Sequence, residues 1–234
     1  MSPSLHSTLV VRDYIFSHPD SRLSESPVNY SHALERMREF TGHRDAQTAD
    51  ELWLLEHRPV YTLGRNADRS HIINAGQVPV VQVDRGGQVT YHGPGQIMCY
   101  LLADLSRKGL QVRTLVEALE QAVIELLAGF GIEASGDRKA PGVYVDGAKI
   151  AALGLRVSRG RCYHGLCFNY DFDEQPFSGI NPCGFENLPV TQLARLLQPC
   201  PPAERVTRQL ASAIAAALDY SLIDYCGASW PASS

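Results

Sequence analysis

Lysine is scarce in this chain. Of 21 basic residues only Lys108, Lys139 and Lys149 are lysines, and the rest are arginines. Excess charge is lacking too. A net charge of −4 and a pI near 6.0 exclude the global basic field that gathers nucleic acid. No apolar run reaches the ~20 residues a membrane helix needs. The start, Met1-Ser2-Pro3-Ser4-Leu5-His6, lacks a basic-then-apolar signal pattern, which predicts a cytoplasmic protein. Both familiar glycine-rich nucleotide motifs are missing: there is no G-x-G-x-x-G at a strand-to-helix junction and no G-x-x-x-x-G-K-[ST]. Internal repeats, low-complexity segments and linkers are also missing. The six cysteines, Cys99, Cys162, Cys167, Cys183, Cys200 and Cys226, read as free thiols in a reducing compartment rather than a disulfide framework.

What is present is a glycine cluster. Asp84-Arg85-Gly86-Gly87-Gln88-Val89-Thr90-Tyr91-His92-Gly93-Pro94-Gly95-Gln96 lies between two apolar runs. Such clusters let backbone N–H groups approach a ligand closely. A length of 234 residues with 44% hydrophobic and 20% charged composition supports one soluble domain with a full core.

Periodicity sets the expected elements. Leu9–Tyr14, Glu51–His57, Pro59–Gly64, Val78–Val83 and Gln96–Leu102 read as strands. Ser26-Pro27 signals a helix start, with Tyr30, Leu34, Met37 and Phe40 at helical spacing over 28–41. Leu115, Leu119, Val123, Leu126 and Phe130 predict a helix over 111–130, ended by Gly131. Asp146-Gly147 is a strong two-residue turn between strands 142–145 and 148–157, and Ser158-Arg159-Gly160 turns into a third strand, 161–170. Residues 171–186 read as irregular, followed by helices near 190–197 and 203–218. Residues 1–8 and 219–234 read as tails around one domain, 9–218. Meander-like hairpins with few helices argue for an α+β fold rather than a doubly wound parallel sheet.

Three groups carry candidate chemistry. Lys149 lies in the apolar strand Ala148-Lys149-Ile150-Ala151-Ala152-Leu153-Gly154. It either points to solvent or sits desolvated as a base, which an arginine could not do. Cys183, in Ile180-Asn181-Pro182-Cys183-Gly184, is either a small hydrophobe or an accessible nucleophile held in a turn. His57, His92 and His164 form the third group. A zinc site from Cys162, His164, Cys167 and Cys183 is disfavoured, because Cys162 and Cys167 point to opposite faces of a strand. Arg138, Lys139, Arg156, Arg159 and Arg161 are either a solvated surface or a dock for an acidic partner.

With the glycine loop, Lys149 and Cys183 together, the chain resembles the lipoyl(octanoyl) transferase family from about Leu9 to Leu218. The carrying segments are Leu54–His57, Tyr61–Arg65, Arg85–Gln96, Gly147–Ala151, Tyr163–Leu166 and Asn181–Gly184. The resemblance implies a mixed, mostly antiparallel curved sheet with flanking helices, as in lipoate and biotin protein ligases. It implies Cys183 and Lys149 as the catalytic pair. It also implies an acyl site from Arg85, Gly86, Gly87, Gln88, Val89, Thr90, Tyr91 and His92, with Ala152, Leu153, Gly154, Gly165, Leu166 and Cys167. The implied activity moves octanoyl from acyl carrier protein to a lipoyl-domain lysine, on 2-oxoacid dehydrogenase complexes and the glycine cleavage H protein. It needs no cofactor and no metal. Arg58 and Cys167 depart from the family pattern. The rivals are an ATP-dependent lipoate ligase and a non-catalytic acyl-binding scaffold.

Overall fold

The structure is a computed structural model that describes residues 7–16, 27–185 and 188–227. The chain runs β1 (Thr8–Asp13), α1 (Tyr30–His43), β2 (Asp50–Leu55), β3 (Val60–Leu63), β4 (Val80–Gln82), β5 (Val89–His92), β6 (Gln96–Asp104), α2 (Leu105–Lys108) and α3 (Val112–Ala128). It continues through β7 (Ser135–Gly136), β8 (Gly142–Val145), β9 (Ala148–Ser158), β10 (Arg161–Asn169), α4 (Leu193–Leu196), α5 (Ala203–Ala217) and β11 (Leu222–Gly227). A large mixed sheet has the order β11-β1-β2-β6-β10-β9-β8-β7, and β4-β3-β5 form a small one. In the large sheet β1 is parallel to β11 and β2, and every other neighbour pair is antiparallel. The α+β expectation therefore holds.

Side-chain alternation makes two cores from one sheet. Leu52, Leu54, Ile97, Cys99 and Leu101 pack with Leu115 and Leu119 of α3 and Leu210 and Ile214 of α5. Trp53, Leu55, Met98, Tyr100 and Leu102 face the other way, against Tyr30, Ala33 and Met37 of α1. Strands covered on both faces need apolar residues throughout, which is why β2 and β6 are nearly continuous apolar runs. The small sheet has its own cluster, where Tyr61, Leu63, Val89 and Tyr91 meet Phe172 and Ile180.

Both hairpin turns form as their residues predict. Asp146 and Gly147 have φ of 49° and 79°, and Arg159 and Gly160 have 51° and 76°. Two successive positive φ values match the twist of the flanking strands.

Three expectations change. Helix α1 starts at Tyr30, because Val28 is used as a bridge to His57; the cap is Asn29, whose Oδ1 accepts from the His32 amide. Ser26 lies outside the described residues. The helix expected at 190–197 shrinks to α4, since Val190 bridges to Lys149. The C-terminal tail expected from 219 contains β11, an edge strand paired with β1. Its mostly exposed side chains leave no buried face to read, and the backbone ladder holds it instead. Residues 1–6 and 228–234 of the expected tails lie outside the described residues. Among the described residues no helix is long and apolar enough to cross a membrane.

Candidate active site

The glycine loop is seated by backbone contacts. The Arg65 amide donates to the Arg85 carbonyl, and the Gly86 amide to the Leu155 carbonyl, both at 2.9 Å. A Cβ at Gly64 would lie 1.8 Å from the Gly87 carbonyl oxygen, so only glycine lets the two segments touch. The Arg85 guanidinium folds inward and donates to the Gly86 carbonyl (2.8 Å), the Thr62 carbonyl (2.8 Å) and Thr62 Oγ1 (2.7 Å). It braces the loop from beneath.

Beside the loop is a cleft with about 450 Å³ of space, part of it open to solvent. Gly87 to Thr90 and His92 form one wall. Ala152 to Gly154 of β9 and Gly165 to Cys167 of β10 form the other, with Met98, Tyr100 and Tyr30 behind. The small residues Ala152, Gly154 and Gly165 leave the room that larger side chains would fill. Gly86 and Tyr91 are not on these walls. Gly86 borders a neighbouring polar groove with Arg65 and Arg156. Strand alternation turns Thr90 and His92 to the cleft but Tyr91 away from it, onto Tyr61 and Phe177, with ring centroids at 5.6 and 5.8 Å.

Polar side chains stand behind the cleft wall, around Tyr100 and His92. His57 Nδ1 lies 3.0 Å from the Val28 carbonyl and Nε2 lies 2.6 Å from the Tyr100 hydroxyl. A carbonyl only accepts, so Nδ1 carries the proton and Nε2 accepts from Tyr100. Burial pushes the His57 pKa down to about 4, and pushes His92 well below its ordinary value. His92 stacks on Tyr30 at 5.8 Å. Asp84 accepts from the Tyr163 hydroxyl (2.6 Å), His164 Nε2 (3.0 Å) and Arg38 Nη2 (2.9 Å). Burial alone would raise the Asp84 carboxyl; the hydrogen bonds from His164, Tyr163 and Arg38 outweigh it and hold the carboxyl well below the usual range. Burial lowers His164 against the Asp84 carboxylate that raises it, and burial pushes the Cys167 thiol up to about 12. Sequence reasoning missed Asp84, Tyr30, Met98 and Tyr100. Three of them sat in apolar patterns that read as core, and Asp84 had only its place beside Arg85 to mark it.

Lys149 is buried, with 3% of its surface exposed. Its Nζ donates to the Pro141 carbonyl at 3.2 Å and lies 5.1 Å from the Tyr144 ring centroid. Gly142 closes over it, where a Cβ would come within 2.9 Å of Lys149 Cε. The solvent-facing alternative for this lysine is thus removed. Its backbone is stitched to the segment after Cys183: the Lys149 amide donates to the Pro189 carbonyl (2.8 Å) and the Thr191 amide to the Lys149 carbonyl (3.0 Å). Cys183 lies in a 3-10 turn, Pro182–Gly184, and its side chain lies outside the described residues. The Asn181 amide fixes this turn to the His71 carbonyl at 2.8 Å. A Cβ at Gly184 would be 3.4 Å from Cγ of Gln88, on the cleft wall. Cys162 and Cys167 fall in opposite cores, as alternation requires. Among the described residues no three His, Cys, Asp or Glu groups gather as a metal site. The basic residues do not form one patch: Arg138 reaches Glu117 on α3 and Arg161 the Thr41 carbonyl on α1, on opposite faces of the sheet.

Comparison with known proteins gives the family and the fold. Residues 29–215 match the lipoyl protein ligase A/B catalytic domain. An octanoyltransferase of Methylococcus capsulatus is 57% identical over 185 residues, covering 78% of this chain and 89% of that protein. One of Ectopseudomonas mendocina is 53% identical over 195 residues, covering 83% and 95%. In fold, the chain is similar to a bi-partite lipoate protein ligase from Thermoplasma acidophilum, with a TM-score of 0.71 at 13% identity, covering 96% of this chain and 87% of that one. Lipoate-protein ligase A bound with ATP gives 0.68 at 12% identity, covering 96% and 88%. With relatives this similar over nearly their whole length, the chain belongs to the octanoyltransferases of the lipoyl protein ligase A/B catalytic domain family.

Proposed function

We propose that this protein takes an octanoyl group from acyl carrier protein and passes it to a lysine of a lipoyl domain, through a thioester on Cys183. This is the first step of endogenous protein lipoylation. The acceptors are lipoyl domains of 2-oxoacid dehydrogenase complexes and the glycine cleavage H protein. The observation that supports the reading most is the burial of Lys149, joined through its own backbone to the segment that follows the Cys183 turn, on the strand whose Ala152 to Gly154 line the cleft.

Lys149 accepts the thiol proton of Cys183. The thiolate attacks the thioester carbonyl, a new C–S bond forms, and the carrier C–S bond breaks. The proton held by Lys149 goes to the departing carrier thiolate. The lipoyl-domain amine then attacks the Cys183 thioester, loses a proton to Lys149 and gains the amide bond. Cys183 leaves as a thiolate and is reprotonated. Thioester exchange is nearly balanced and amide formation is downhill, so no nucleotide enters the cycle. Arg85 holds the loop, and Gly87 to Thr90, Ala152 to Gly154 and Gly165 to Cys167 hold the acyl chain.

Intact-mass analysis after incubation with octanoyl carrier protein tests this directly. The unaltered protein gains one octanoyl group and Cys183→Ala gains none; an undiminished adduct in Cys183→Ala would exclude this nucleophile. Lys149→Arg is expected to fold and to lose transfer by a factor of ~10² or more, because its proton cannot leave. Transfer from free octanoate that requires ATP would replace this reading with a ligase.

A further inference from the structure

One peptide group stands between Lys149 and a carboxylate that the reaction above leaves unused. The Pro141 carbonyl accepts from Lys149 Nζ at 3.2 Å. The N–H of the same peptide, on Gly142, donates to Glu120 Oε1 at 2.8 Å. Glu120 comes from α3, and its other oxygen lies against β7, where a Cβ at Gly136 would be 3.0 Å from Oε2. Gly142 has a φ of +153°, in the half of backbone space that favours glycine. A Cβ there would come within 3.1 Å of Lys149 Nζ. The peptide is thus held from both sides, by the amine at its oxygen and by the carboxylate at its nitrogen.

Glu120 is half-buried, and a carboxylate drawn out of water needs compensation. Glu117, on the same helix, finds it in Arg113 (3.0 Å) and Arg138 (3.9 Å). Among the described residues Glu120 has no arginine partner. Burial raises its carboxyl, and the Gly142 amide and the charge of Lys149 oppose that rise. Glu117 and Asp137 raise it further. Arg113 and Arg138 complete the charged groups on this side, around an open groove that Glu120 and Pro141 also border. Lys149 in addition faces Tyr144 of β8, whose ring centroid is 5.1 Å from Nζ, and, in the transfer reading, Cys183.

We propose that Glu120 is a positioning residue for Lys149: it fixes the Pro141–Gly142 peptide that orients the amine, and its negative charge steadies the ammonium form. This rests on the transfer reading above, in which Lys149 takes the Cys183 proton and later hands it to the departing carrier thiolate. Burial alone disfavours the ammonium that exists between those two events. A carboxylate that accepts from the peptide N–H makes the carbonyl of that peptide a stronger acceptor for the amine. The peptide transmits polarisation and carries no proton.

The test follows formation of the octanoyl enzyme from octanoyl carrier protein in a single turnover, by intact mass, between about pH 5.5 and 9.5. Glu120→Gln keeps an oxygen for the Gly142 amide and loses the charge. Cys183 and Lys149 titrate as a pair, so both limbs of the profile are expected to move to lower pH by about half a unit or more. The plateau rate of this variant is expected to stay within about threefold of the unaltered protein. Glu120→Ala also leaves the amide without its acceptor; its limbs are expected to move the same way and its plateau to fall by about tenfold or more. Glu117→Gln removes a carboxylate with no tie to that peptide, and both limbs are expected to stay in place. Alkylation of Cys183 by iodoacetamide, read by peptide mapping, is expected to show the same shift without any carrier. A purely structural role would lower the rate at every pH and move neither limb. Unmoved limbs in Glu120→Gln, or an equal shift in Glu117→Gln, overturn the proposal. Should neither Glu120 variant fold, the residue is structural and the proposal falls. An octanoyl adduct with unmoved limbs sinks only this inference. No adduct on the unaltered protein sinks the reading beneath it as well.

Discussion

Asp50 is an acid with none of its surface in solvent, at the first position of β2. Its Oδ1 accepts from Arg44 and Arg107, each at 2.5 Å, and from the Asp104 amide at 2.9 Å; its Oδ2 accepts from the Tyr220 hydroxyl at 2.7 Å. The Arg44 side chain is itself fully buried. Removing one partner of such a pair leaves an uncompensated charge inside the protein. Asp50→Asn is therefore expected to destabilise by about 3–5 kcal/mol, read from urea unfolding; a loss below ~1 kcal/mol would show the charges to be better solvated than they stand here. No pattern around Asp50 marked it, because its partners come from positions 44, 104, 107 and 220 and meet only in three dimensions. Lys149 differs. A single lysine in an apolar strand of an arginine-rich chain is conspicuous in one dimension, but whether it pointed in or out awaited Gly142 and Pro141 closing over it.

Elements were most legible where local chemistry alone sets the backbone. The Asp146-Gly147 turn forms between the strands it predicts, and the α3 stripe is buried as its spacing requires. Edges were least legible. Strand β11 has a ladder of six registered pairs with β1 and little buried surface, so a tail and an edge strand look alike in sequence. Truncation after Ser221 leaves β1 as an unprotected edge. It is expected to lower Tm by about 2–4 °C for each kcal/mol lost, with at least ~1 kcal/mol expected; an unchanged melting curve would make β11 dispensable. Strand β5 shows the complementary case. Its period-two pattern separates Thr90 and His92 from Tyr91, yet the family resemblance placed all of them in one expected site.

Across the whole molecule, the buried histidines around Tyr100 couple acidity to stability. The His57 pKa near 4 lies below the ordinary 6.5, because burial disfavours the charged ring. The unfolded chain thus binds this proton more readily than the folded one. The contribution is complete above pH ~6.5 and is lost as pH falls towards 4. From pH 7.5 to 5.0 His57 alone lowers stability by about 2 kcal/mol, and His92 and His164 act with the same sign. Urea midpoints at the two pH values check this; equal midpoints would mean that His57 is protonated in the fold or open to water.

Reading the residues in order was enough for the fold class, both tight hairpins and the α3 helix, while the segments that line the cleft came from the family resemblance. The first three depend on turn chemistry and on periods of 2 and 3.6, which are properties of neighbours in the chain. Which face His164 takes, what Asp84 and Asp50 bind, and that β11 joins the sheet were decided only on folding. Each depends on groups far apart in the chain, and only the packed structure sets the distance between them.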